Sequence, residues 1–451
     1  MDAPLDPGLR AVLRLAWPTV LSFVLNNGFR INDQYWVGGL GGDAHAAIAS
    51  STVLLILNFA VIFIAVGGSS PLVARATGAR DVGERDDVIR HALGLGVGIG
   101  VLLSVIGWFA TPLAARAFDV ADGVEPLMVG YLRTIYLCIL PLVLAPIVDN
   151  LFFAMGHTRV PMLLQGGAVL LNLGLNPLLI YGAGEWSGLG IEGAALATCA
   201  SRGLTSILGL VLLVRLHRIQ LWTGARLRLT RLVQMVHLGL PVALSIAIYA
   251  GVYVALFALV IGPLGRDVSA GFGIGFNAFE SVSYPFFLGI AIAGSSLVGR
   301  NLGAGRADEA WRAVRNVRGL GRVVGVLFAL GFWFGGPHIA PLFTEEPGVL
   351  AEALRYVAIL AWSQLLVAEE TVNEKVLYGA GHPRAIFWIS LCGNVARVPL
   401  AWWLAFSLGH GAAGLWWAIN ITTLGKAAGF YIEVQRGRWT RALPERSGAA
   451  A

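Results

Sequence analysis

The sequence predicts an all-α membrane protein, with twelve transmembrane helices in two pseudo-symmetric six-helix bundles related as parallel repeats around a central cleft. Three observations predict it. The 451 residues are 57% hydrophobic and only 13% charged, whereas soluble domains carry about a quarter charged residues. Apolar stretches of about 20 residues recur along the chain, each long enough to cross a hydrocarbon core about 30 Å thick as a helix. The second half also repeats motifs of the first at a displacement of about 225 positions.

The apolar runs place helices at 15–38, 46–70, 92–115, 127–153, 160–182, 190–214, 236–262, 269–298, 318–340, 350–378, 385–408 and 412–432. Runs such as Val53 to Val66 and Leu204 to Val214 do not alternate, which argues against the short alternating strands of a β-barrel. The first fourteen residues, Met1 to Arg14, lack a basic segment leading into a short apolar run with a cleavage site, so the first helix is expected to stay in place.

Arginines separate by loop. Arg10 and Arg14 precede the first helix; Arg75, Arg80, Arg85 and Arg90 follow the second; Arg159 follows the fourth. Arg215, Arg218, Arg226, Arg228 and Arg231 follow the sixth, Arg300, Arg306, Arg312 and Arg315 the eighth, and Arg384 the tenth. Arg436, Arg438, Arg441 and Arg446 lie in the tail, and the opposite loops offer little beyond Arg116 and Arg266. By the positive-inside rule both termini of this multi-pass protein are cytoplasmic, in the inner (plasma) membrane. The formal charge of +6 is explained by these loops, so the expected partners are the lipid bilayer and a small organic molecule, with no nucleic acid. The chain is expected to work as a monomer.

The composition offers no enzyme. Cys138, Cys199 and Cys392 all fall inside apolar stretches without metal-ligand spacing, and the eight histidines form no H-E-x-x-H arrangement. No G-x-S-x-G elbow or phosphate-cradling loop with its lysine is present, so neither a cofactor nor a catalytic residue is expected.

The repeat is specific. Leu72-Val73-x-Arg75-x-x-Gly78-Ala79 returns as Leu297-Val298-x-Arg300-x-x-Gly303-Ala304. The same displacement maps Phe118 onto Phe343, Tyr131 onto Tyr356, and Gly156-His157-x-Arg159 onto Gly381-His382-x-Arg384. Nearby displacements map Pro18 onto Pro241, Asn172 onto Asn394, Pro177-Leu178 onto Pro399-Leu400, and Gly190-x-x-Gly193 onto Gly411-x-x-Gly414. Six helices per half return the chain to the same side, which makes the halves parallel repeats, an architecture of alternating access. The expected division is an N-lobe at 1–214, a basic linker at 215–235, a C-lobe at 236–432 and a cytoplasmic tail at 433–451. Gly156 and Gly381 are expected to end their helices.

These residues resemble the MATE (multidrug and toxic compound extrusion) family over essentially the whole chain. The resemblance is carried by Pro18, Asp33-x-x-x-Val37-Gly38-x-Leu40-Gly41, the two Leu-Val-x-Arg-x-x-Gly-Ala segments, Asn172-x-x-x-Asn176-Pro177-Leu178-Leu179-Ile180-Tyr181-Gly182, and Gly190-x-x-Gly193-Ala194-Ala195-x-Ala197-Thr198. It implies efflux of bulky, often cationic organic compounds by antiport against sodium or protons. The chain departs from the family pattern at Asn176, where many members have aspartate, and at Tyr249, where some sodium-coupled members carry glutamate. A lipid-linked saccharide flippase of related architecture would need a larger, strongly charged cleft and commonly more helices. A membrane-embedded enzyme would need a nucleophile, metal or cofactor constellation.

A charge at a helix centre costs roughly 2.5–3.5 kcal/mol on insertion scales, so such residues usually face a cavity or a partner. Asn26, Arg30 and Asp33 occupy one face of the first helix, where Arg30 and Asp33 are expected to pair. Under the repeat Arg30 corresponds to Tyr253 and Asp33 to Leu256, so the fold does not demand charge there. Asp33 with Asn172, Asn176 and Thr198 is the expected site for the coupling ion, H+ or Na+, the proton being favoured because only one of the four is charged. In the second half Glu280, Glu369, Glu370 and Glu374 face Leu55, Leu144, Ala145 and Asp149 under the repeat. Glu280 and Glu369 are expected to approach each other or the cleft and to shape cationic substrate binding. The resemblance marks Glu369, since sodium-coupled relatives carry an acidic residue twelve positions before a helix-end glycine, here Gly381. Glu370 and Glu374 share a face at i, i+4 and are expected to be confined together, unless Lys375 neutralises one of them. Arg30, Tyr35, Tyr249 and Tyr284 complete the residues expected at a substrate or second coupling site, the tyrosines through cation–π contacts.

Overall fold

The computed structural model describes residues 6–117, 121, 123–219 and 227–441; Phe118, Arg226 and Arg446 lie outside them. Among the described residues the chain is helical apart from one isolated bridge between Ala183 and Trp186. In chain order the helices are α1 (Leu9–Gly38), α2 (Gly42–Gly78), α3 (Val82–Ala117), α4 in two pieces (Val124–Leu137 and Ile139–Met155), α5 (Arg159–Tyr181) and α6 (Gly190–His217). The second half continues with α7 (Leu229–Leu256, then a π turn Phe257–Ile261) and α8 (Arg266–Ile274, a π turn Gly275–Glu280, then Ser281–Gly303). It ends with α9 (Ala307–Ile339), α10 in two pieces (Pro347–Ala361 and Ser363–Gly379), α11 (Pro383–Trp402, then a π turn Trp403–Ser407) and α12 (Gly411–Gln435).

The twelve expected helices are therefore present, with longer ends. Eight are long and apolar enough to cross a membrane unaided, and the bent pairs forming α4 and α10 bring the number to ten. The two that fall short are α1 and α12. These carry Asn26, Arg30, Asn32 and Asp33, and Asn420, Thr422, Thr423 and Lys426, and that polar content is why an apolar threshold misses them.

The repeat is visible helix by helix. α4 breaks at Cys138 with a bend of 57°, and α10 breaks at Trp362 with a bend of 53°. Both end alike. Gly156 and Gly381 take positive φ of 83° and 74°; the amides after them, His157 and His382, each reach a carbonyl five residues back at 2.9 Å. This is the Schellman arrangement, and only glycine adopts its left-handed conformation without a Cβ penalty. Prolines sit inside α1 and α7, α3 and α9, and α5 and α11 at matching places.

The chain divides into two compact units, with borders inside α1, α2 and α7 and one in the turn after α2: residues 24–76 with 81–243, and residues 1–23 and 77–80 with 244–451. Most of each unit is one repeat, but each also takes the opening segment of the other repeat's first helix. Small residues explain the exchange. In the first unit a Cβ on Gly68 would stand 2.2 Å from the Met235 carbonyl oxygen, and one on Gly239 would stand 2.0 Å from that of Ile64. The start of α7 and the end of α2 thus pack backbone to backbone, as small residues allow between membrane helices. In the second unit a Cβ on Gly289 of α8 would stand 2.5 Å from the Cα of Val20 on α1. That unit's core gathers Leu256, Phe279, Tyr356 and Trp416, all nearly inaccessible.

Gly239→Ala is expected to cost about 1–3 kcal/mol by overpacking, read as a lower melting temperature of the purified protein. Gly251→Ala, on the same helix with nothing within 4 Å of a new Cβ, should leave that temperature unchanged or slightly raised. Equal effects of the two substitutions would refute the close approach.

Candidate functional site

The first unit brings together the four residues expected to form one site. Asp33 projects from α1, while Asn172 and Asn176 lie one turn apart on the same face of α5, both fully buried. Thr198 faces them from α6. Asn176 Nδ2 donates to Asp33 Oδ1 at 2.7 Å, and Asn172 Nδ2 donates to the same oxygen at 3.0 Å. Thr198 Oγ1 donates to Asp33 Oδ2 at 3.0 Å.

The orientation of these donors is fixed from behind. Trp36 Nε1, donor only, gives its proton to Asn32 Oδ1 at 3.0 Å, which leaves Asn32 Nδ2 to donate to Asn172 Oδ1 at 2.7 Å. With its oxygen so occupied, Asn172 must turn its NH2 toward Asp33. Sequence reasoning did not single out Asn32, although its place beside Asp33 on a largely apolar helix is a signal of the same kind.

Arg30 does not pair with Asp33. It is exposed, and its Nη2 donates to Asn27 Oδ1 at 2.9 Å. A long side chain on a helix leans toward the N-terminus, so Arg30 reaches back to Asn27 while Asp33 turns toward α5 and α6. The guanidinium near the site is Arg202 of α6. Its Nη1 donates to Gln165 Oε1 at 2.6 Å and its Nη2 to Asn26 Oδ1 at 2.5 Å, with the head group 4.4 Å from the Phe29 ring centroid. Gln165 Nε2 donates in turn to Asp149 Oδ2 at 2.5 Å. Arg202 and Gln165 escaped the sequence reading, although one arginine in an apolar run is itself a signal. Tyr35 is 73% exposed, and its ring meets Trp36 edge to face.

In the second unit each expected carboxylate has its own partner. Glu369 of α10 is clasped by Arg322 of α9 in a bidentate fork, at 2.9 and 3.0 Å, and also accepts from Asn373 Nδ2 at 3.1 Å. Arg318 stands 3.8 Å away and donates to Asn373. Glu280, at the end of the π turn in α8, accepts the Tyr356 hydroxyl at 2.9 Å. Among the described residues no hydrogen bond joins Glu280 to Glu369, and each has a partner of its own. Lys426 of α12 pairs with Glu370 at 2.7 Å, and Lys375 neutralises Glu374 at 2.6 Å, the alternative foreseen for that lysine. Buried carboxylates find cations because unpaired charge is costly in a low-dielectric interior.

Tyr249 and Tyr253 lie ring against ring at 4.8 Å, and the Arg397 guanidinium stands 5.9 Å from the Tyr253 ring centroid. Tyr284 is 47% exposed on α8. Arg397 and Lys426, both nearly fully buried, were not anticipated from the sequence, although each is an ionisable residue inside an apolar run. Among the described residues no three His, Cys, Asp or Glu side chains group to hold a metal ion.

A polytopic helical fold with polar side chains gathered inside each unit is the build of a membrane carrier. A profile of the MatE family matches residues 18–178 and 241–403, and the chain belongs to that family of multidrug efflux transporters. It is 28% identical over 432 residues, covering 93% of this chain and 87% of its relative, to a protein of Pseudomonas aeruginosa described as probable multidrug resistance protein NorM. It is 27% identical over 449 residues, covering 97% and 96%, to a protein of Shewanella oneidensis described as an FAD transporter. The fold matches that of a multidrug resistance MATE family transporter of the MOP superfamily in an outward-facing conformation, with a TM-score of 0.89, 22% identity and coverage of 98% and 99%.

Arg202→Met removes two charge-assisted hydrogen bonds and is expected to cost about 1.5–3 kcal/mol, seen as a lower melting temperature in detergent. Arg30→Met, at an exposed position bonded to its neighbour Asn27, should change stability by no more than about 0.5 kcal/mol. A larger loss from Arg30→Met than from Arg202→Met would restore the Arg30–Asp33 pair.

Proposed function

We propose that this protein is a secondary active efflux transporter, which expels organic small molecules in exchange for protons by alternating access across the inner membrane, with both termini cytoplasmic. The observation that carries the choice of ion is the direction of the donors around Asp33. Sodium favours a cage of oxygens, as other hard cations do. Here Asn172 and Asn176 offer N–H groups, and the relay from Trp36 through Asn32 holds Asn172 that way.

A sodium ion would have to reverse both amides, and for Asn172 against its partner Asn32. A proton asks less: protonated Asp33 loses one acceptor lone pair and gains one donor, so a single neighbour such as the Thr198 hydroxyl rotates to accept. The parallel repeats suit two bundles that rock about a site near the midplane. Relatives described as multidrug resistance proteins and as an FAD transporter support an organic substrate without fixing the sign of its charge.

The test is substrate uptake into sealed proteoliposomes under separately imposed proton and sodium gradients. A proton gradient alone should drive uptake, and Asp33→Asn should abolish the driven component while purified protein still binds substrate. Wild-type rates in Asp33→Asn would remove Asp33 from coupling. Uptake driven by sodium at equal pH on both sides would replace the proton with sodium.

A further inference from the structure

Several partly buried carboxylates in the second unit are already answered by a cation. Glu369 has Arg322 and Arg318, Glu370 has Lys426, and Glu374 has Lys375. Arg397 on α11 differs. It is 2% exposed, and among the described residues it forms no ion pair. Its Nε donates to Thr422 Oγ1 at 2.9 Å and its Nη2 to Thr423 Oγ1 at 3.2 Å, both neutral hydroxyls on α12. Among the described residues the remaining nitrogen, Nη1, has no hydrogen-bond partner, and it is not among the side-chain atoms that are both sealed and unsatisfied. Two hydroxyls therefore steady the guanidinium on one edge and leave a donor on the other.

A guanidinium buried without a counter-ion is costly to keep. The fold does not require it: the displacement that maps Pro177 onto Pro399 maps Leu175 onto Arg397, so the first repeat fills the same place with a leucine. Glu280 acts on Arg397 through space without pairing with it directly; its carboxylate accepts the Tyr356 hydroxyl. The surroundings are aromatic. Beyond Tyr253 and Tyr249, Phe272 packs 6.4 Å from Tyr253 and lies nearly parallel to Trp416 at 6.0 Å, while Tyr356 meets Trp416 at 4.7 Å. Tyr249 is 40% exposed, so the cluster is open on the side of α7.

We propose that Arg397 is a recognition residue for the acidic group of an anionic or zwitterionic aromatic substrate, whose ring system lies against Tyr249 and Tyr253. Arginine is suited to the task because its planar fork matches a carboxylate or phosphate, and tyrosine faces accept a flat ring beside it. Lys426 is committed to Glu370 and Arg322 to Glu369, whereas Arg397, among the described residues, keeps a donor without an ion-pair partner. This proposal rests on the transport reading above and gives it a substrate class: an acid on an aromatic frame rather than a simple organic cation.

Two dyes with one xanthene frame separate the possibilities. Fluorescein carries a free carboxylate, whereas rhodamine 123 is a methyl ester with net positive charge. Titration of each with the purified full-length protein, followed by fluorescence anisotropy, should show fluorescein binding weakened tenfold or more by Arg397→Gln and less by Arg397→Lys. Rhodamine 123 affinity should change less than twofold. Equal losses for both dyes would mean that Arg397 only supports the fold, and absence of fluorescein binding to the wild type would overturn the anion site outright.

Should Arg397→Gln fail to fold, competition on the wild type decides instead. Benzoate displacing fluorescein where neutral benzamide does not supports the proposal; equal displacement by both overturns it. Binding in detergent is read without any gradient. Wild-type protein that binds fluorescein but moves neither dye in proteoliposomes would leave the anion site standing and sink the transport reading, whereas driven movement of rhodamine 123 without fluorescein binding would do the reverse.

Discussion

An ionised or amide side chain in an apolar helix has no water to satisfy it, so neighbouring helices must. That demand organises both units. Asp33 draws Asn172 and Asn176 of α5 and Thr198 of α6 onto α1, and Arg202 ties α6 to α5 and again to α1. Glu369 joins α10 to α9, Lys426 joins α12 to α10, and Arg397 joins α11 to α12. Each pairing places a polar group and fixes which helices are neighbours. α1 and α12, which fall short of an apolar span, are the least able to pass for lipid-solvated rods, and the partners they recruit are what make them tolerable.

The helices were legible because apolar runs of membrane length are hard to disguise. Their ends were not. The second helix reads as 46–70 but spans Gly42–Gly78, and the third reads as 92–115 but spans Val82–Ala117, because polar turns beyond the hydrocarbon leave no apolar signal. The bend at Cys138 is invisible for a similar reason: the residues on both sides are equally apolar. Asp33, Asn172, Asn176 and Thr198 could be read together because helical spacing puts the two asparagines on one face. Arg30 misled because spacing says which side a Cα faces, not where a long side chain carries its charge. Glu370 and Glu374 likewise share a face, yet each carboxylate ends at its own lysine.

The two repeats share their mechanics and differ in chemistry. The bent fourth helices, the Schellman ends at Gly156 and Gly381, and the matched prolines recur because they shape backbone. Several polar residues of the two clusters do not recur: Asp33 answers to Leu256, Asn176 to Val398, and Arg397 to Leu175. Asn172 and Asn394 do recur, as do Asp149 and Glu374. One scaffold therefore holds a carboxylate ringed by neutral donors in one unit and a guanidinium beside aromatic rings in the other. A comparison within a single chain isolates these differences, since anything the backbone required would stand in both halves.

The exchanged segments at Gly68, Gly239 and Gly289 bear on how such a chain could be divided. The basic linker is the obvious place to cut, but a fragment that stopped there would carry a bare glycine furrow on α2 where Met235 and Gly239 should lie. A fragment that began there would miss the residues around Val20 that cover Gly289. During synthesis the same gap opens in time: the ribosome finishes the sixth helix well before it supplies the strip that closes the furrow. The first half-chain therefore waits in the bilayer with an unfilled seam, and its packing is completed only by sequence belonging to its sister repeat.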